Sequence, residues 1–528
     1  MNSPSPKPGR NSLIWSIGSP TAGTGSFSPD TAGLWRYWFQ LTPQKHSRLR
    51  MTPGAKPRPS NNSHLLGCWK PHNSTTASPP ARPCPRPRVN PGTRPVARNV
   101  VSGTDSPLIN VHGRPGLGHN RDYLLLWTGG AVSLLGSQMS MVAYPLVALA
   151  LTGSPTKAGF VGTSALLGQM VFRLPAGALV DRHDRRRTML VADALRGLVI
   201  LGVTVALVLG ALGLPLLVVA AFTENAMGEF FRPASTAAVR RVIDPAQMPE
   251  AVSRSEARSY GATIVGPPLG GLLYGLAQYL PFAADAGSYI YSFVSTFLVR
   301  TPMQPEPPAT TEPQRIITQL TGGVRWIWDH LLIRCMILSA AGFNVVFAAL
   351  YLTVVVAART AGATSVQIGI MLGMASLGGF AGSFLAVRLA SYRHPSRLVL
   401  AIMWSAGAVI PLMAINQNPY LLGALLAIPM VLAPTANTII ISLQVALTPD
   451  HMQGRVNAGG EFISGAASPL APLAAGVLVT TLSAPTTLIL IGGAMVVIAG
   501  LATASHSLRT IPSLNALVAG DELDETQF

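Results

Sequence analysis

Gly177-Ala-Leu-Val-Asp181-Arg182-His183-Asp184-Arg185-Arg186-Arg187 decides how the rest of the chain is read. It lies between two apolar runs, each about long enough to cross roughly 30 Å of hydrocarbon. Positions 181–187 hold four arginines and two aspartates. On the insertion scale a central Arg or Asp costs roughly 2.5–3.5 kcal/mol, so this stretch is a polar turn at a membrane face. Composition agrees. Of 528 residues only 11% are charged and 49% are hydrophobic, against about 25% charged in soluble domains. The chain also carries 51 Gly and 44 Pro, residues more frequent in membrane helices than in soluble ones. The fold class is an all-α polytopic membrane protein.

From about Asp122 onward the sequence alternates apolar runs with short polar breaks. The runs fall near 123–149, 157–180, 188–210, 214–235, 257–280, 282–300, 333–357, 366–389, 397–415, 419–442, 458–482 and 485–505, giving twelve expected spans. The longest polar break follows the sixth. It holds Pro302, Pro305, Pro307, Pro308 and Pro313, then an amphipathic piece with Arg325, Trp326 and Trp328. The expected organisation is a basic, Pro-rich tail (1–118), a six-span half (119–300), a cytoplasmic linker (301–331), a second six-span half (332–505) and a short tail (506–528).

The net charge of +17 is uneven. Residues 1–118 hold 15 Lys/Arg and 2 Asp/Glu, or +13, which leaves +4 for the rest. A high pI that resides in one tail does not imply nucleic-acid binding. The tail lacks an apolar period and an h-region, so it is expected to be disordered and not a secretory signal. Its Arg-rich, acid-poor character also resembles a transit peptide, and Met51 is an internal candidate start. Within the membrane part the even-numbered breaks carry nearly all the cations, among them Arg182, Arg185, Arg240, Arg241, Arg254, Arg300, Arg388, Arg393 and Arg455. The positive-inside rule then puts both termini in the cytoplasm of a cell (inner or plasma) membrane protein.

The two halves echo each other. At one constant offset Pro245 meets Pro449, Met248 meets Met452, Gly261 meets Gly465, Pro268 meets Pro472 and Leu269 meets Leu473. The spacing Gly177-x3-Asp181-Arg182-x2-Arg185-Arg186 resembles the loop motif between the second and third helices of the major facilitator superfamily, with Asp184 where the family usually has Gly. The fifth span carries Gly266-Pro267-Pro268-Leu269-Gly270-Gly271, similar to the family's antiporter motif of exporters. Phe230-Phe231-Arg232-Pro233-Ala234, Phe282-Ala-Ala-Asp285-Ala286-Gly-Ser288-Tyr289, and Thr448-Pro449 leading to Gly454-Arg455-Val456-Asn457 resemble the branch of enterobactin-type siderophore exporters and macrolide efflux proteins. The resemblance covers about 120–505. It implies two six-helix pseudo-repeats around a midplane substrate site.

Three groups of residues follow. Gly177, Asp181, Arg185 and Arg186, with Asp193 and Arg196, are the expected conformational latch. Asp181 is read as facing the start of the eleventh span, whose N-terminus favours a carboxylate, and Arg185 and Arg186 as pairing with Asp193 or Glu461. Gly266, Pro267, Gly270 and Gly271 are the expected gate, because glycines permit close helix approach and prolines bend the helix. Glu224 lies ten residues into the fourth span, about 15 Å deep, with no acid–base partner at i±3 or i±4. A midplane carboxylate facing a cavity suits proton coupling, because ionisable groups inside the membrane are functional or paired. Asp193 with Arg196 and Glu229 with Arg232 are spaced as structural pairs. Asp285 is read as a cap near the outer end of the sixth span, and Arg173 as snorkelling toward the inner surface. Gln138, Asn344 and Asn437 are polar midplane candidates for substrate contact.

No nucleotide-binding loop, catalytic triad or metal-ligand cluster occurs, and Cys68, Cys84 and Cys335 fit no ligand or disulfide pattern. The expectation is a non-enzyme without metal or cofactor. Its partners are the bilayer, protons and a small amphipathic drug or metabolite, exported by a monomer through alternating access. The alternatives are an uncoupled or uptake facilitator of the same fold, or a membrane-bound sensor or scaffold.

Overall fold

The computed structural model describes residues 116–304, 316–390 and 395–509. The expected tail up to residue 115, the middle of the linker (305–315) and the end beyond 509 lie outside the described residues, as do Arg393, Cys68 and Cys84. Among the described residues there are helices and turns and no strand. In order the helices are α1 (Arg121–Thr152), α2 (Pro155–Arg182), α3 (Arg185–Val208), α4 (Leu214–Val242), α5 (Met248–Leu276), α6 (Leu280–Leu298), α7 (Ile316–Asp329), α8 (Leu331–Thr360), α9 (Ser365–Ala390), α10 (Pro395–Leu412), α11 (Pro419–Leu447), α12 (Gln453–Gly465), α13 (Leu470–Thr481), α14 (Ala484–Ala504) and α15 (His506–Arg509). A helix satisfies its backbone polar groups internally, which is what hydrocarbon demands.

Among the described residues eight stretches are long and apolar enough to cross a membrane: α1, α3, α4, α8, α9, α11, α12 with α13, and α14. The other four runs of the sequence reading form α2, α5, α6 and α10, which fall below that apolarity or length. The reason is visible in their content. α5 opens on Glu250, Arg254 and Arg258 and carries Gly266-Pro267-Pro268, while α6 spends Asp285, Ser288, Ser292 and Ser295 on neighbouring helices.

Polar end groups tie the first six helices together. Asn120 caps α1 by accepting from the Tyr123 N–H at 3.0 Å, and its amide donates to the last α4 carbonyl, Val242, at 2.9 Å. Asp122 accepts from the Thr301 N–H and hydroxyl at 2.9 and 2.6 Å, and so binds the start of α1 to the chain leaving α6. The amphipathic linker piece is α7. Its apolar side packs on α12 around Ile327, Ile333, Ile337 and Val456.

The eleventh span is not one helix. α12 ends at Gly465 and α13 begins at Leu470, with Ala466–Pro469 as turns between them. Pro469 lacks an N–H and its ring clashes with the carbonyl four residues back, here Gly465. At the offset that aligns the halves, Pro469 falls on Val265, so α5 runs through where α12 stops. A half-helix beginning in the bundle has unsatisfied N–H groups. The Leu473 N–H donates to Thr163 Oγ1 of α2 at 3.2 Å.

Candidate functional site

The contact between the first six helices and the later ones is made by glycine and proline. A Cβ on Gly271 would meet the Ser365 carbonyl oxygen and stand 3.1 Å from Gly369 Cα. Gly369 in turn lies under Pro267 and Pro268, and a Cβ on Gly373 would be 2.8 Å from Pro268 Cγ. Here α5 and α9 touch backbone to backbone. On the other flank, Pro472 of α13 rests on Gly159 and Gly162 of α2, and a Cβ on Gly476 would stand 2.9 Å from Thr156 Cα. Thr156 bridges the same flank, its hydroxyl 3.2 Å from the Gly476 carbonyl and 2.9 Å from Thr480 Oγ1. Gly266 and Gly270 of the expected gate face a different neighbour. They pack on Gln138 and Met139 of α1, and a Cβ on Gly270 would lie 2.6 Å from the Met139 carbonyl oxygen.

Along α2, residues 155–163 form this seal, and the next turns line a cavity. Leu166, Gln169, Met170 and Arg173 face Asn344 of α8 and Glu461, Gly465 and Ser468 at the α12 break, around a volume of about 280 Å³. A second cavity of about 880 Å³ is lined by Tyr260, Phe343, Asn344, Met403, Met430, Asn437, Gln444, Asn457 and Glu461, among others. Asn344 and Asn437 stand on a cavity wall, and the Asn344 amide donates to the Ser464 carbonyl at 3.1 Å. Gln138 does not line either cavity, because Gly266 lets α5 close over it.

Glu224 is neither partnerless nor on these cavity walls. It is 5% exposed and accepts from Tyr144 Oη at 2.6 Å and Tyr289 Oη at 3.0 Å. Its partners come from α1 and α6, which no i±4 inspection of α4 could reveal. The Tyr289 hydroxyl also lies 2.8 Å from Ser137 Oγ, and Arg196 stacks over the Tyr289 ring at 4.4 Å. Asp193 pairs with Arg196 at 3.8 Å and accepts from Ser292 Oγ at 2.7 Å. Asp285 is six residues into α6 and fully buried, accepting from Ser288 Oγ at 3.2 Å, so it does not cap the helix. One buried polar network thus joins α1, α3, α4 and α6. Sequence reasoning missed Tyr144, Tyr289 and Asp285 as its members. A signal was available for Asp285, the one acidic or basic residue within α6.

Removing the cation from this network strands Asp193. Breaking one partner of a buried pair costs about 3–5 kcal/mol. Arg196→Met is therefore expected to lower the detergent-extracted protein's melting temperature by several degrees, and Arg196→Lys by less. A thermal shift series on the three proteins checks this, and an unchanged Arg196→Met would remove the structural role.

The expected latch is arranged differently from the sequence reading. Asp184, which stands where the family usually has Gly, is extended (φ −61°, ψ 114°) and caps α3 by accepting from the Arg186 and Arg187 N–H groups at 2.8 and 3.1 Å. Arg185 donates to the carbonyls of Ala237 and Met303, both at 3.4 Å, and Arg186 to that of Phe297. These carbonyls lie in or just beyond the last turns of α4 and α6, where guanidinium groups complement the negative helix end. Asp193 and Glu461 are not their partners. Gly177 has open space around it, and the side chain of Asp181 lies outside the described residues. Glu229 pairs with Arg232 at 3.3 Å as expected, and also with Arg173 of α2 at 3.6 Å. Arg173 is therefore held at the cavity rather than reaching for the surface.

An apolar helical bundle with a sealed seam and solute-sized cavities beside it defines a multi-pass membrane transport protein. The chain belongs to the major facilitator superfamily, whose model matches residues 126–391. It is similar to the multidrug efflux pump Tap of Mycolicibacterium fortuitum, at 25% identity over 372 residues covering 67% of this chain and 88% of that one. Macrolide efflux protein A of Streptococcus pyogenes is 26% identical over 183 residues, 34% of this chain and 45% of that protein. Among solved structures, nucleoside transporter NupG shares the fold with a TM-score of 0.60 at 12% identity, over 73% of this chain and 98% of that one. A bacterial homologue of the iron transporter ferroportin in an inward-facing state gives 0.56 at 14% identity, over 72% and 98%.

Proposed function

We propose that the protein is an efflux transporter that exports a small amphipathic drug or metabolite by proton antiport and alternating access. The observation that carries this reading is the seam. Backbone-close glycine–proline contacts join α5 to α9 and α2 to α13 at one end, and the smaller cavity lies beyond that seal along α2. The efflux relatives support the direction of transport. In this reading twelve spans form two six-helix pseudo-repeats, 119–300 and 332–505, joined by the linker 301–331. Both termini are cytoplasmic, the chain works as a monomer, and the seal is the outer gate of an inward-open state.

Four groups of residues divide the work. Pro267 and Gly271 form the gate against α9, while Gly266 and Gly270 seat α5 on α1. Glu224 exchanges the proton, and because two tyrosines close over it, it gains access to water only when the helices around it shift. Asn344 and Asn437 contact substrate. Gly177, Asp181, Arg185 and Arg186, supported by the Asp193–Arg196 pair, hold the cytoplasmic ends of α2, α4 and α6 as one body that moves against the other half.

Asp181→Asn removes one charge from that rim. It is expected to cut export severalfold while the amount of protein in the membrane stays at the wild-type level. Dye efflux from cells, normalised to an immunoblot of membrane fractions, measures both. Wild-type export would discard the latch.

A further inference from the structure

Among its described lining residues the larger cavity holds one carboxylate and no cationic side chain. Its wall is built from Met336, Phe343, Met403 and Met430, with Tyr260 entering from α5 and amides from Asn344, Asn437, Gln444 and Asn457. Glu461 is the one Asp, Glu, Lys, Arg or His among its described lining residues. It is exposed to the cavity, eight residues beyond the start of α12 and so about 12 Å along the helix. Among the described residues its carboxylate makes no ion pair or hydrogen bond. Arg173, which shares the smaller cavity with it, is held by Glu229 at 3.6 Å.

A negative charge facing a wall of apolar and neutral polar side chains discriminates between ligands. An anion entering there meets repulsion. A neutral guest strips water from Glu461 and gives nothing back, and an unpaired charge removed from water is costly. A cation replaces the lost hydration with an ion pair and also gains from ring faces within reach. Methionines repack around different shapes, so the wall sets size and greasiness while the carboxylate sets charge. The volume of about 880 Å³ is that of a site for a drug-sized molecule, roughly 300–1,000 Å³.

We propose that Glu461 anchors the charged group of a lipophilic monocation, a ring-bearing ammonium or phosphonium of drug size, in the larger cavity. The proposal rests on the efflux reading and adds the charge class of its substrate. It separates Glu461 from Glu224, since the first stands in the cavity and the second is enclosed by tyrosines.

The test uses the purified full-length protein with two fluorescent probes, ethidium as the cation and Nile red as a neutral dye. Glu461→Gln is expected to weaken ethidium binding about tenfold or more while Nile red affinity stays within about twofold. Glu461→Asp, which keeps the charge, is expected to restore most of the ethidium affinity. Unchanged ethidium binding in Glu461→Gln overturns the proposal. An equal loss of both probes overturns it too, because the charge would then serve the fold and not the ligand. Dye accumulation in cells separates this outcome from the parent reading. If wild-type protein lowers the accumulation of both dyes and Glu461→Gln still does so equally, efflux stands and the cation anchor falls. If wild-type protein lowers neither, the efflux reading itself fails.

Discussion

Gly271→Leu is expected to abolish most transport without reducing the amount of protein in the membrane. Its added side chain would enter the space held by the Ser365 carbonyl and Gly369 Cα on α9. Backbone atoms cannot swing aside as a side chain can. Overpacking a close contact costs about 1–3 kcal/mol, and here the cost falls on the sealed state alone, because in the opposite state the two helices part. A bias of that size shifts a two-state equilibrium roughly 5- to 150-fold, so the outer gate would stand open and the cycle would stall. Transport assays paired with thiol labelling of a reporter cysteine at the seam measure both consequences. Gly270→Leu is the control. Its neighbour is Met139 of α1, within the same half, so it should lower thermal stability and leave no bias toward an open gate. Wild-type transport by Gly271→Leu would show that the seam does not have to close.

Glu224→Gln is expected to abolish efflux driven by a pH gradient while substrate binding and downhill exchange persist. The carboxylate offers one oxygen to Tyr144 and the other to Tyr289. An amide has a single acceptor oxygen, so one tyrosine loses its partner, and a buried polar group without its partner costs about 1–3 kcal/mol. More importantly, the amide cannot alternate between charged and neutral forms. The sign is fixed by the exchange. Acidifying the outer side should accelerate wild-type efflux, and the variant should not respond. Asp285→Asn locates the effect, because Asp285 shares the network but does not touch the two tyrosine hydroxyl bonds. Retained pH coupling in Glu224→Gln, with coupling lost in Asp285→Asn, would transfer the proton role to α6.

The gate motif shows how far sequence carries and where it stops. Gly-Pro-Pro-Leu-Gly-Gly announced a helix meant for close approach, and α5 makes such approaches to α1 and α9. Gly270 and Gly271 nevertheless face different partners, since adjacent residues on a helix point about 100° apart and the neighbours on each side come from distant sequence. The arginines after Asp181 were equally legible as a polar turn. Their partners were not, because the carbonyls of Ala237 in α4, Phe297 at the end of α6 and Met303 beyond it become neighbours only when α4 and α6 end at the same face as α2. Asp184 was read only as a departure from the family's Gly, whereas an aspartate before a run that starts a helix is a capping signal in its own right.

The sequence by itself determined that this is a helical membrane protein of the major facilitator superfamily. Hydrocarbon admits few backbone solutions and few charges, so apolar runs and polar breaks leave little freedom in the reading. Tertiary structure alone decided which polar groups meet. It enclosed Glu224 between tyrosines from two other helices, buried Asp285 instead of leaving it as a cap and left Glu461 facing a cavity. Those outcomes depend on contacts between residues tens to hundreds of positions apart, and periodicity along one helix says which face is polar but not what stands opposite it.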